Sequence, residues 1–106
     1  MIKAEFFTTA FGELLGFSMK GHSGSAQAGY DIVCAAVSSA AYMTVNTVTD
    51  VLNVDARVAV DDGFLRIRVQ EKDARSCRSI FAGFKLHMLG LEEQYPNNIE
   101  VSYTEV

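Results

Sequence analysis

Arg57-Val58-Ala59-Val60-Asp61-Asp62-Gly63-Phe64-Leu65-Arg66-Ile67-Arg68-Val69 reads as two short strands around a tight turn. Side chains alternate in polarity over residues 57–61 and again over 64–69, the period of a chain that shows opposite faces in turn. Asp61-Asp62-Gly63 between them is a hairpin signal, because glycine supplies the positive φ that such turns use. Upstream, Val33, Val37, Ala40, Thr44, Val48 and Val51 recur at three- and four-residue spacing and predict one apolar face of a helix. Asp31 is placed to cap it, its carboxylate accepting from the orphan N–H groups of the first turn. The β-branched content makes this helix weak on its own, so packing must hold it.

Downstream, Asp73 is expected to cap a second helix with Ala74, Cys77, Ile80, Phe81, Phe84, Met88 and Leu91 on its apolar face. Tyr95-Pro96-Asn97-Asn98 stops it. Towards the N-terminus, Ile2, Ala4 and Phe6 alternate with Lys3 and Glu5. Leu15, Phe17 and Met19 alternate around Gly16, Ser18 and Lys20, and Gly12 is the expected positive-φ residue of the connection. A last strand is read from Ile99, Val101 and Tyr103 between Glu100, Ser102 and Thr104. The order β-β-α-β-β-α-β predicts an α+β fold. It is read as one domain over residues 1–106, a mostly antiparallel sheet packed with two helices.

The 106 residues are 49 % hydrophobic and 21 % charged, enough apolar mass for a core without staples. The formal net charge of −4 argues against non-specific nucleic-acid binding, which needs a positive field. Arg66 and Arg68 share a strand face with Phe64, read as a solvated sheet face rather than a nucleic-acid surface. Residues 32–49 are weakly charged, but Ser and Thr interrupt them, so no membrane span is expected. Met1-Ile2-Lys3-Ala4-Glu5 carries no secretory pattern. Two cysteines in such a chain are read as thiols.

Residues 21–29 contain three glycines and no large aliphatic residue, which predicts a mobile loop. Cys34 falls three residues after the expected cap, hence in the first helical turn, where the helix dipole favours a thiolate. His22 stands across the loop, and the loop is long enough to fold back over the helix start. A Cys–His pair is permitted by this layout. The plainer alternative is a small core cysteine beside Val33, Ala35 and Ala36, with a solvated His22. Ser38, one turn on, is placed to hydrogen-bond the thiol, the histidine or a substrate, or simply to bond back to the helix. Asp31 is either the cap alone or a third member orienting His22, and its charge opposes a thiolate unless His22 is protonated. Cys77 and His87 lie on or beside the second helix face and are read as structural or surface residues. The Cys and His spacings match no compact zinc motif, and no Gly-Lys-Ser/Thr or dinucleotide pattern follows the loop, so neither metal nor cofactor is expected.

Gly21-His22-Ser23-Gly24-Ser25-Ala26-Gln27-Ala28-Gly29-Tyr30-Asp31-Ile32-Val33-Cys34-Ala35-Ala36-Val37-Ser38 closely resembles the signature of the ribosomal-processing cysteine protease family, Prp. That pattern is a Gly-His-x-Gly loop, a further Gly, then Asp-Ile-Val-Cys-Ala-Ala-Val-Ser. The resemblance extends to length, element order and the Tyr-Pro end of the second helix. It implies that Cys34 is the nucleophile and His22 the general base and acid. It implies a substrate, the precursor of large-subunit ribosomal protein twenty-seven, from which an N-terminal extension is removed. It further implies cytoplasmic homodimers. Asp31 and Ser38 match the motif as candidate supporting residues. The loop, with Gly21, Gly24 and Gly29, is expected to close over bound peptide, leaving the resting Cys34–His22 pair too far apart to hydrogen-bond. The competing readings are a non-catalytic module that binds ribosomal protein, and a thiol redox sensor on Cys34. A Cys34 buried as a structural residue counts against the protease and the sensor together.

Overall fold

In β1 (Ile2–Thr8) the residues Ile2, Ala4 and Phe6 are fully buried while Lys3 is exposed. The computed structural model describes residues 1–21 and 28–106, with side chains in the first helix described from Ile32 onward. β1 turns back through Gly12, at φ +81°, into β2 (Leu14–Lys20). The turn is pinned by Thr9, whose Oγ1 accepts from the N–H groups of Phe11 and Glu13, each at 3.2 Å. After the first helix come β3 (Arg57–Asp61) and β4 (Phe64–Arg68), and the chain ends in β5 (Ile99–Glu105). Gly63, at φ +68°, makes the β3–β4 turn. The five-stranded sheet has the order β3-β4-β2-β1-β5. Every pairing is antiparallel except β1 with β5.

α1 (Ala28–Asn46) and α2 (Arg78–Gln94) cover one face of this sheet. Phe84 of α2 stacks 4.4 Å from Phe17 and 5.8 Å from Phe6, and Phe81 meets Phe17 edge-on at 6.3 Å. Burying each such ring stabilises the fold by roughly 2–3 kcal/mol. From α1, Val33, Cys34, Val37, Ala41, Val45 and the fully buried Val48 just beyond it join the same core. The stretch Ile32–Val51 is long and apolar enough to cross a membrane, yet this stripe faces the sheet.

Three local expectations are corrected. Asp31 does not cap α1: the helix begins at Ala28 and Asp31 is its fourth residue. Asp73 does not cap α2 either. It ends a short 3-10 turn (Glu71–Asp73), and four turn residues intervene before Arg78. There Asp73 contributes its carbonyl, which accepts from the Cys77 N–H at 3.3 Å. The core stripe of α1 is also wider than the expected one: Val33, Val37, Thr44 and Val48 are buried as read, and Cys34, Ala41 and Val45 join them. Ala40 is partly buried against this core, and only Val51, 70 % exposed, leaves it. Val51 leaves the stripe through a π-helical turn over Thr47–Val51, closed by Leu52 N–H to Thr47 O at 2.8 Å. Its extra residue per turn carries Val51 off the buried stripe.

Candidate active site on the first helix

The N-terminal half of α1 carries the predicted chemistry. Gly21 holds the end of β2 by donating its N–H to the Gly63 carbonyl at 3.0 Å. Its φ is +82°, and a Cβ there would stand 2.5 Å from the Met1 carbonyl oxygen. Glycine is therefore required at this point by close approach, whatever part the following residues play. His22 and Gly24 lie outside the described residues, so the expected resting separation of His22 and Cys34 does too. Gly29, expected in the loop, is the second residue of α1.

Cys34 is the seventh residue of α1, in its second turn rather than its first. The dipole acts mainly on the terminal turn, so the helix start contributes less to a thiolate than the sequence reading assumed. Cys34 is 4 % exposed and packs with the core, between Val33 and Val37 on the buried side. That is the position of a small core cysteine, and it means that any carbonyl attacked by Sγ must first gain access to it. Ile32, two residues earlier, is 66 % exposed.

Ser38, half-buried one turn beyond Cys34, borders a narrow crevice with Met19, Val37, Ala41, Tyr42 and Leu65. Sequence reasoning missed Tyr42 as part of this surface. Its place at eight residues from Cys34 and four from Ser38 was the available signal, since those spacings share a helix face.

Cys77 is the useful contrast. It is fully buried just before α2. Burial pushes its thiol above the ordinary value of 9.0, and the nearby Asp73 carboxylate pushes it the same way. Cys77 therefore stays protonated and inert at neutral pH. Neither cysteine forms a disulfide. His87 is exposed on α2 and lines an apolar groove between the helices with Ala40, Met43 and Ile80. Among the described residues, no group of three or more His, Cys, Asp and Glu is placed to hold a metal ion.

The fold thus sets a buried helix thiol over a mostly antiparallel sheet, in a sequence that carries a Gly-His-x-Gly segment ahead of that helix. The sequence profile described as cysteine protease Prp matches residues 1–100, and the chain belongs to that family. It is accordingly a cysteine protease of the ribosomal-processing type. Ribosomal processing cysteine protease Prp from two Staphylococcus aureus strains is 26 % identical over 105 residues, covering 97 % of this chain and 99 % of the relative. The S. aureus enzyme in complex with a substrate peptide superposes with a TM-score of 0.88 at 24 % identity, over 98 % of this chain and 100 % of that one. With a covalently linked product peptide it superposes at 0.85 and 25 % identity, again over 98 % and 100 %. A Streptococcus mutans protein reaches 0.87 at 28 % identity over 100 % of this chain and 99 % of its own.

Proposed function

We propose that residues 1–106 form one cysteine endopeptidase domain in which Cys34 is the nucleophile and His22 the general base and acid. Its substrate is the precursor of large-subunit ribosomal protein twenty-seven, from which it removes the N-terminal extension during ribosome maturation. The observation that carries this reading is family membership over residues 1–100 together with the matched Gly-His-x-Gly and Asp-Ile-Val-Cys elements. The covalently linked product peptide on the S. aureus relative supports a covalent route. The cytoplasm is the compartment where such a precursor is made, and a homodimer is the assembly the family resemblance implies.

The chemistry follows from the pair. His22 takes the Cys34 proton, and Sγ attacks the scissile carbonyl carbon. The tetrahedral oxyanion collapses as the C–N bond breaks, and His22 passes its proton to the leaving amine. A thioester remains on Cys34. Water, deprotonated by His22, attacks that thioester and frees the acid product and the thiol. Asp31 and Ser38 are supporting residues in this scheme.

The 4 % exposure of Cys34 makes access part of the mechanism. Peptide binding must open a path to Sγ, and the sequence between Gly21 and the start of α1, which carries His22 and Gly24, is the proposed gate. Such gating lets the correct peptide assemble the site and restrains cleavage of other chains. The test is a synthetic peptide spanning the extension and the mature start, incubated with wild type and Cys34→Ala and read by mass spectrometry. A single cut by wild type alone is expected. Peptide bound but uncut by either protein would put the non-catalytic binding module in its place.

A further inference from the structure

The net charge of −4 averages over surfaces that the fold separates. The face of the sheet opposite the helices collects Lys3, Lys20, Arg57, Arg66 and Arg68, out of 9 basic residues in the chain. All five are exposed. The ladder places Arg57 directly opposite Arg68, and Lys3 directly opposite Lys20. Like charges in such positions repel. The carboxylates on this face are Glu5, Asp61 and Glu100. Glu5 is engaged by the hydroxyls of Ser18 and Thr104. Among the described residues the one ion pair is Arg78 with Glu13, which involves none of these cations. The ladder sets Glu100 directly opposite Lys3, which leaves Lys20, Arg57, Arg66 and Arg68 as cations of this face with no carboxylate directly opposite them and no ion pair among the described residues.

Two half-exposed rings stand among them. Phe64 has the Lys20 ammonium and the Arg66 guanidinium each 6.0 Å from its centroid. Phe7 lies in the row of Arg57, Arg68 and Gly16, and Gly16 puts no side chain between Phe7 and Arg68. Cations that alternate with flat rings on an open sheet match a single strand of nucleic acid, whose phosphates take the charge while its bases stack. The four strands β3-β4-β2-β1 span about 14 Å at the usual strand spacing. An acidic peptide would use the cations and leave the rings idle.

We propose that this uncovered sheet face binds single-stranded RNA. It lies across the sheet from Cys34, so the inference does not rest on the protease reading. The test is fluorescence anisotropy with full-length protein and a labelled RNA of about twelve nucleotides. Binding is expected at about 50 mM salt and should weaken about fiftyfold by 200 mM if four phosphates are contacted. Arg66→Glu with Arg68→Glu should weaken it at least tenfold, and the milder Arg66→Gln with Arg68→Gln should weaken it in the same direction. Phe64→Ala should cost at least fivefold and leave the salt slope unchanged. Arg75→Glu, off this face, should have a far smaller effect, and peptide cleavage should persist in every variant. The proposal is overturned by no binding with about 100 µM protein at low salt. It is equally overturned if Arg75→Glu matches the face variants, or if duplex RNA or polyglutamate competes as well as the single strand.

Discussion

Cys34→Ala is expected to lower turnover of the extension peptide by at least about 10³-fold, because the covalent route ends when its nucleophile is removed. His22→Ala should cost about 10²–10⁴-fold, the usual contribution of a general acid–base group. The double variant should be no slower than Cys34→Ala, since the two residues act as one unit. Alanine is the right probe at position 34. Sγ is buried among Val33, Val37 and other apolar side chains, and alanine removes it without putting another nucleophilic atom in its place. Peptide affinity and the unfolding midpoint should stay near wild type in Cys34→Ala. Equal cleavage by Cys34→Ala and wild type would remove Cys34 from the chemistry. Ser38→Ala and Asp31→Asn, measured beside them, separate two kinds of support. A raised KM with kcat held marks binding, whereas an equal fall in kcat and kcat/KM marks the transition state.

The largest stability loss is expected far from the thiol, at Gly16. This residue sits in β2 between β1 and β4, with φ at +146°. An added Cβ would collide with the Ile67 carbonyl oxygen and lie 2.9 Å from its carbon and 3.0 Å from the Arg68 Cα. All three atoms are backbone of a paired strand, so no side chain can swing aside. Gly16→Ala should therefore cost at least about 4 kcal/mol, comparable with the whole stability of many small domains. Gly12→Ala is the control, because a Cβ there meets nothing within 4 Å although φ is +81°. It should cost only about 1 kcal/mol. Urea titration of the two variants checks both values. A Gly16→Ala midpoint beside that of Gly12→Ala would show that the strands can part without cost.

Element order and hairpins were legible because alternation, Gly12 and Gly63 are local signals. The helix starts were not. A carboxylate anywhere in a first turn complements the dipole, so Asp31 as cap and Asp31 as fourth residue look alike in sequence. Asp73 misled for a related reason, since a 3-10 turn followed by further turns begins with the same kind of residues as a capped helix. The buried stripe of α1 was ambiguous because Ala and Val occupy more than one stripe. Cys34, Val37, Ala41 and Val45 fit the period as well as Val33, Val37, Ala40 and Thr44 do. Both stripes are buried together, so Cys34 lies in the core beside Val33, as the plainer alternative read from sequence had it. The family was legible, since consecutive motif residues carry information that periodicity does not. The basic sheet face was half legible: Arg66 and Arg68 show in one strand, but Lys3, Lys20 and Arg57 join them only through the register.

The most direct test of the central claim uses the extension peptide ended at its scissile residue with a chloromethyl ketone, an electrophile that a cysteine nucleophile alkylates. Intact-mass and peptide-mapping spectra should show one adduct, on Cys34, suppressed by the uncut peptide and absent in Cys34→Ala. Cys77 should stay unmodified until the protein is unfolded. Alkylation of Cys77 in the folded protein, or an unlabelled Cys34 in an enzyme that still cleaves the peptide, would contradict the assignment of Cys34 as the nucleophile.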